Sequence, residues 1–183
     1  MSLDRARFSP LILVLAGLFA SALAPRARAD NDAAINKGVQ FLRGQIGGAG
    51  IGETALIALA MLKADVPADD PGLMTCIARI QARCAGSAYD PERSGGAEIY
   101  EAGCVALALA NHQPGSTAHR AELAIVARYL IGKQKTNGSW DYSNREQGDT
   151  SISQYAVLGL WEADNAGAAV DPALWERAAN WFM

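Results

Sequence analysis

The sequence predicts an all-α protein built from repeated helical hairpins, and three observations carry that reading. Alternating Val/Ile/Thr-rich runs are nearly absent, while half of the residues are hydrophobic and alanine and leucine dominate. Almost wholly apolar segments recur at a near-constant interval: Gly52–Ala64, Glu101–Ala110 and Ser153–Ala163 superpose so that Leu59, Leu107 and Leu158 coincide, as do the small residues Ala60, Ala108 and Gly159. Each such segment follows a more amphipathic one that carries helix-start signals.

Taken in order, the elements begin with a leader. Arg5 and Arg7 precede an apolar run from Leu11 to Leu23 that is too short to span a bilayer comfortably and ends in small residues. Ala22-Leu23-Ala24 runs into Pro25, a poor cleavage context, whereas Ala27-Arg28-Ala29 before Asp30 satisfies the small-x-small rule. Residues 1–29 therefore read as a signal peptide, and the protein as exported (periplasmic, extracytoplasmic or secreted) with no stable membrane span after cleavage. Residues 30–183 are the size of one domain. The first amphipathic helix is expected over Ile35–Gln45 and the first apolar one over Gly52–Ala64. Asp70-Pro71 opens the next pair, Leu73–Arg83 and Glu101–Ala110, with aspartate as N-cap and proline at the first helical position. Ser116 or Thr117 is expected to cap a helix over Ala118–Lys135, followed by an apolar helix over Ser151–Ala163. Asp171-Pro172 starts a fourth amphipathic helix, Ala173–Met183. A helix apolar almost all round must be buried on most sides, so such hairpins have to stack. Their period admits an open superhelix or a closed ring with the apolar helices inside.

A net charge of −3 without a basic patch excludes a nucleic-acid partner. Cys76 and Cys84 would stand about 12 Å apart along one continuous helix, beyond disulfide reach. If a bridge forms, Cys104 is the common partner; otherwise all three are small buried thiols. His112 and His119 flank an interhelical turn and are expected to be exposed. With no Cys-x-x-Cys and no metal-ligand spacing, no metal and no cofactor is expected.

The stretch Tyr129-Leu130-Ile131-Gly132-Lys133-Gln134 followed by Gly138-Ser139-Trp140 resembles the QW motif of the squalene cyclases and their relatives. Degenerate copies are Ile77–Tyr89, with Gln81, Gly86 and Tyr89 in the motif slots, and Phe41-Leu42-Arg43-Gly44-Gln45. Trp181-Phe182-Met183 resembles the opening of another. The resemblance covers essentially all of residues 30–183 and implies the closed alternative: an α/α toroid of the terpenoid cyclase and protein prenyltransferase superfamily. Three hairpins and the start of a fourth make a partial ring, so either half-rings pair or, the expected case, the chain is a fragment truncated at its C-terminus. In that motif Gln134, Gly138 and Trp140 are structural: the glutamine reaches the start of a neighbouring helix and the tryptophan covers the junction.

The chemistry of the family is not matched. Class II cyclases protonate substrate with an aspartic acid in Asp-x-Asp-Asp-Thr, and Glu146-Gln147-Gly148-Asp149-Thr150 stands in the similar place. Gly148 then occupies the proton donor's position, which leaves Asp149 and Glu146 as the only catalytic candidates and Asp149 or Thr150 as a helix cap. The Asp-x-Cys of the zinc-dependent prenyltransferases is missing. Gly50-Ile51-Gly52-Glu53-Thr54 resembles the thioester motif of complement-type domains but lacks its cysteine and glutamine. Tyr155 and Trp161 on an apolar helix are expected to pack in the core. The resemblance thus implies an exported, non-catalytic toroid-repeat protein holding an apolar small molecule or a peptide. The alternatives are a cyclase or prenyltransferase relative with its catalytic residues elsewhere, or an architectural repeat domain of a larger exported protein. Its oligomeric state stays open.

Overall fold

The computed structural model describes residues 31–183, so the signal peptide expected over residues 1–29 lies outside the described residues. Every regular element among them is helical. Residues 31–45 form α1, followed by α2 (Ile51–Lys63), α3 (Pro71–Ala82), α4 (Ala97–Asn111), α5 (Arg120–Gly132), α6 (Thr150–Asn165) and α7 (Pro172–Phe182). The chain divides into two units, Met1–Phe41 and Leu42–Met183. In the first, the described residues 31–41 are helical.

Within the second unit, side-chain caps explain where several helices begin. Asp70 accepts from the amides of Gly72 (3.0 Å) and Leu73 (3.1 Å), with Pro71 at the first position of α3. Asp171 does the same for Ala173 at 2.9 Å ahead of Pro172. Each cap satisfies backbone donors that the helix leaves unpaired. α5 departs from expectation at both ends. Neither Ser116 nor Thr117 caps it; His119 holds the N-cap position without a side-chain cap bond, and Ser116 Oγ accepts from Ala118 in the turn before. α5 also stops at Gly132 rather than Lys135, because the Lys135 amide pairs with the Ser139 carbonyl and the Gly138 amide with the Lys135 carbonyl, which folds this stretch into a turn.

The apolar helices lie in series. α4 packs between α2 and α6, α3 lies on α2, and α5 lies against α4 and α6. The starts of α2 and α4 meet where Gly52 abuts Glu101, and their ends meet where Lys63 Nζ donates to Asn111 Oδ1 at 2.6 Å, so the two run parallel. α4 and α6 also meet start to start, through Tyr100 on Tyr155 (ring centroids 5.2 Å apart) and Tyr100 Oη to Ser151 Oγ at 2.5 Å. Their wholly buried members Met61, Val105, Leu109, Ile152 and Leu160 share one core with Ile77 of α3 and Leu130 of α5.

Glycine sets how closely α4 and α6 approach. A Cβ on Gly103 would lie 2.5 Å from the Tyr155 carbonyl oxygen, and one on Gly159 would lie 2.8 Å from the Gly103 Cα. Backbone cannot rotate away as a side-chain tip can, so adding one methyl must push the two helices apart. Gly103→Ala is expected to lower stability by about 1–3 kcal/mol. Gly132→Ala, at the last residue of α5 with nothing within 4 Å, is expected to raise it by roughly 0.5–1 kcal/mol through helix propensity. Urea unfolding of both variants checks the contrast in sign.

All three cysteines are buried and free. Burial raises each thiol, and those of Cys84 and Cys104 are pushed up to about 12, so they pack as small hydrophobes. Trp161, expected in the core, is instead 54% exposed, and Tyr155 is half-buried. The seven-residue pitch of two helical turns explains the difference: α6 buries Ile152, Ala156, Gly159 and Ala163, and Trp161 projects from the opposite side.

Candidate functional site

Gln134 sits in the turn that follows α5. Its Nε2 donates to the carbonyls of Gly138 (3.0 Å) and of Leu174 in the first turn of α7 (3.3 Å). Its Oε1 accepts from Arg177 Nε at 3.1 Å and Nη2 at 2.8 Å. Gly138 has φ of +92°, and a Cβ there would collide with the Arg177 carbonyl; both facts require glycine. Trp140 is wholly buried, and its indole N–H donates to the Leu130 carbonyl at 2.8 Å. Its own backbone is held by α6: Ser153 Oγ accepts from the Trp140 amide at 2.9 Å, and the Asp149 amide donates to the Trp140 carbonyl at 2.9 Å. These three residues join α5, α6 and α7.

The degenerate copies make comparable junctions with different atoms. Gln81 donates to Glu122 of α5 at 2.9 Å, and Tyr89 is buried with its hydroxyl donating to Glu101 at 2.7 Å. In the first copy Gln45 is exposed, and Arg43 bridges to Asp70 instead, through bonds of 2.7 and 2.8 Å. The Arg43 guanidinium and the α3 amides hold the Asp70 carboxyl down at about 2.

The catalytic candidates do not meet the needs of a proton donor. Asp149 is the N-cap of α6, accepting from Ser151 Oγ at 2.6 Å and from the amides of Ser151 and Ile152 at 3.0 Å each. These bonds lower its pKa, so the carboxylate is ionised where an acid would have to be protonated. Glu146 is an exposed partner of Lys135 at 2.9 Å. Gly148 takes φ of +94° beneath the Trp181 ring, and its amide donates to the buried Asp141 at 2.8 Å.

A hollow of about 270 Å³ opens instead at the starts of α2, α4 and α6. Leu56, Ala97, Tyr100, Cys104 and Tyr155 make its apolar wall, and the Glu53–Arg93 ion pair (3.0 Å) stands at its mouth. Glu101 fixes the loop beside it. This carboxylate is 2% exposed and accepts from the Tyr89 hydroxyl and from the amides of Glu92 (2.9 Å) and Arg93 (3.2 Å). Burial and the Glu101 charge raise the Tyr89 phenol. Glu92 in turn accepts from the Ile51 amide at 2.8 Å, so the loop caps α2 from outside. Glu101 was not among the expected site residues, although Glu98 and Glu101 are the only charges in the α4 segment Ala97–Asn111, which was signal enough.

The groups that line the hollow are mostly apolar or already engaged. Both Glu101 oxygens are occupied, the Cys104 thiol is pushed up to about 12, and no histidine lines the space. Among the described residues no three His, Cys, Asp or Glu side chains gather as a metal site, and no helix is long and apolar enough to cross a membrane.

The expected exposure of the two histidines is overturned. His112 and His119 are 3% and 7% exposed and bonded to each other at 2.7 Å. The local sequence does read as a turn, but the loop before α3 folds over it and presents the Ala68 carbonyl to His112 at 3.1 Å.

No protein-family model, curated protein or solved structure matches this chain.

Proposed function

We propose that this protein is an exported, non-catalytic repeat domain of the α/α-toroid type, and that it holds an apolar small molecule in the hollow at the starts of α2, α4 and α6. The observation that carries the reading is the apolar wall of this hollow on helices that are otherwise core: Leu56, which lines it, is 43% exposed, and outside the hollow Leu158 of α6 is 38% exposed. Leu107 stands between them in sequence and is half-buried. Leaving such side chains in water is unfavourable by roughly 25 cal/mol per Å², which an apolar ligand removes. The resemblance of the Gln134–Trp140 segment to the QW motif supports placing this wall on the inward side of a ring. The ionised cap at Asp149 supports binding over proton-initiated cyclisation.

Isothermal titration of the protein with farnesol, palmitate and squalene tests the reading. Saturable one-to-one binding of at least one of them is expected. Leu56→Asp, which places a carboxylate in the apolar wall, should weaken that binding by at least about tenfold, or 1.4 kcal/mol, with the helical circular-dichroism spectrum unchanged. Absence of saturable binding to all three, or binding unaffected by Leu56→Asp, defeats the proposal.

A further inference from the structure

The His112–His119 contact belongs neither to the hollow nor to the Gln134 junction, and its proton inventory is closed in an unusual way. His112 is the C-cap of α4 and His119 the N-cap of α5. The rings lie 5.0 Å apart at 38°, with His112 Nδ1 2.7 Å from His119 Nε2. His112 Nε2 faces the Ala68 carbonyl, which can only accept, so the proton of His112 sits on Nε2 and its Nδ1 is bare. His119 Nε2–H therefore donates to His112 Nδ1. His119 Nδ1 is left bare, buried and without a partner. Two neutral imidazoles thus tie the α2–α3 loop, the end of α4 and the start of α5 together.

We propose that this pair is a pH-sensitive clasp that holds the α4–α5 turn against the α2–α3 loop at neutral pH and releases it in mild acid. A proton added at His119 Nδ1 creates an imidazolium whose new N–H has no acceptor in a buried place. A proton added at His112 Nδ1 sets two N–H groups head to head at the present separation and breaks the bond. The first form strands a buried charged N–H, and the second breaks the ring-to-ring bond, so either one loosens the clasp.

The charges on the surrounding elements do not reverse this. On α5, Glu122 favours the protonated ring but is already bonded to Gln81, and Arg120 donates to the Gly167 carbonyl. On α2, Lys63 is bonded to Asn111, and the α2–α3 loop carries Asp65 and Asp69. At the α6 end, Asn165, Ala166 and Gly167 line the adjacent space and are neutral, and Asp164 bonds the Val170 amide. Desolvation first, and the neighbouring ring second, lower the His119 pKa from its ordinary 6.5 against the opposing pull of Glu122. The unfolded chain then binds more protons than the folded one below about pH 6.5, so the stability contributed by the clasp is present above that value and is lost as pH falls toward the folded pKa.

Hydrogen exchange of the full chain between pH 7.5 and 5.0, corrected for intrinsic chemistry, tests the clasp. Residues 64–70 and 112–120 should lose protection together, by up to about tenfold for each unit of depression, while α2 and α6 keep theirs. His119→Gln offers its amide N–H to bare His112 Nδ1 and, turned over, its amide oxygen to a protonated one; it cannot itself titrate and should remove the pH dependence. A side-chain ¹⁵N titration of the unmodified protein gives a second readout, with His119 expected to titrate below its ordinary value. Unchanged protection of these two segments down to pH 5.0, or two histidines titrating independently near 6.5, overturns the proposal.

Discussion

Trp140→Ala should lower the stability of the protein by about 4 kcal/mol, the range found when a large buried aromatic is truncated. Trp140 heads the wholly buried side chains by volume, and it lies where α5 ends, α6 begins and the Gln134 turn returns. Removal of the indole leaves a cavity beneath Leu130, whose carbonyl also loses its donor. The backbone bonds to Ser153 and Asp149 do not depend on the side chain, so the turn itself should persist while its packing fails. A total stability of roughly 5–15 kcal/mol is usual for a domain, and a loss of this size consumes much of it. Trp140→Phe separates the two contributions: it restores most of the volume but not the N–H, and about 1–2 kcal/mol should remain lost. Urea midpoints followed by circular dichroism distinguish the variants. Equal stability of the alanine variant and the parent would mean that the indole is not a keystone of this junction.

Glu101→Leu ranks next, at about 3 kcal/mol. Leucine fills similar space, but it strands the Tyr89 hydroxyl and two loop amides that now share one carboxylate, and each buried unpaired group costs about 1–3 kcal/mol before relaxation. The consequence that marks the mechanism is remote. Glu92 loses its anchor, and with it the Ile51 amide loses its acceptor, so the first turn of α2 should lose hydrogen-exchange protection although Ile51 lies fifty positions from the substitution. Glu101→Gln retains an acceptor and should cost less than the leucine change. Loss of stability without deprotection of Ile51 would break the proposed relay while leaving the burial argument intact.

Much of the helical plan could be read in advance because its causes are local. Asp70-Pro71 and Asp171-Pro172 fix two starts through bonds spanning two or three residues, and apolar periodicity marks α2, α4 and α6. What escaped the sequence depends on partners far along the chain. His112 looks exposed from its neighbours His112-Gln113-Pro114-Gly115 and is buried by Ala68, 44 positions away. Arg43 replaces Gln45 at the first junction because Asp70 offers a bidentate acceptor at that distance, which a pattern search for glutamine cannot see. Trp161 carries the hydrophobicity of a core residue, and only its angular position on α6 shows that it faces outward. The hollow was missed for a similar reason: its wall combines three side chains of α4 with one each from α2 and α6, none distinctive alone. Gly103 and Gly159 were legible as small residues, though not as the contact that brings two backbones together.

The cap that Glu92 places on α2 also orders events in time. Ribosomes deliver the amino end first, and the carboxylate that completes the α2 start lies 41 residues downstream. At about 5–20 residues per second, this interval is roughly 2–8 seconds. Gln134 waits in the same way for Leu174, a further 40 residues on. Both junctions are therefore finished by chain synthesised after them, and the α2 start of a newly made chain stays without this cap for seconds. That is long enough for a chaperone to capture it before it closes.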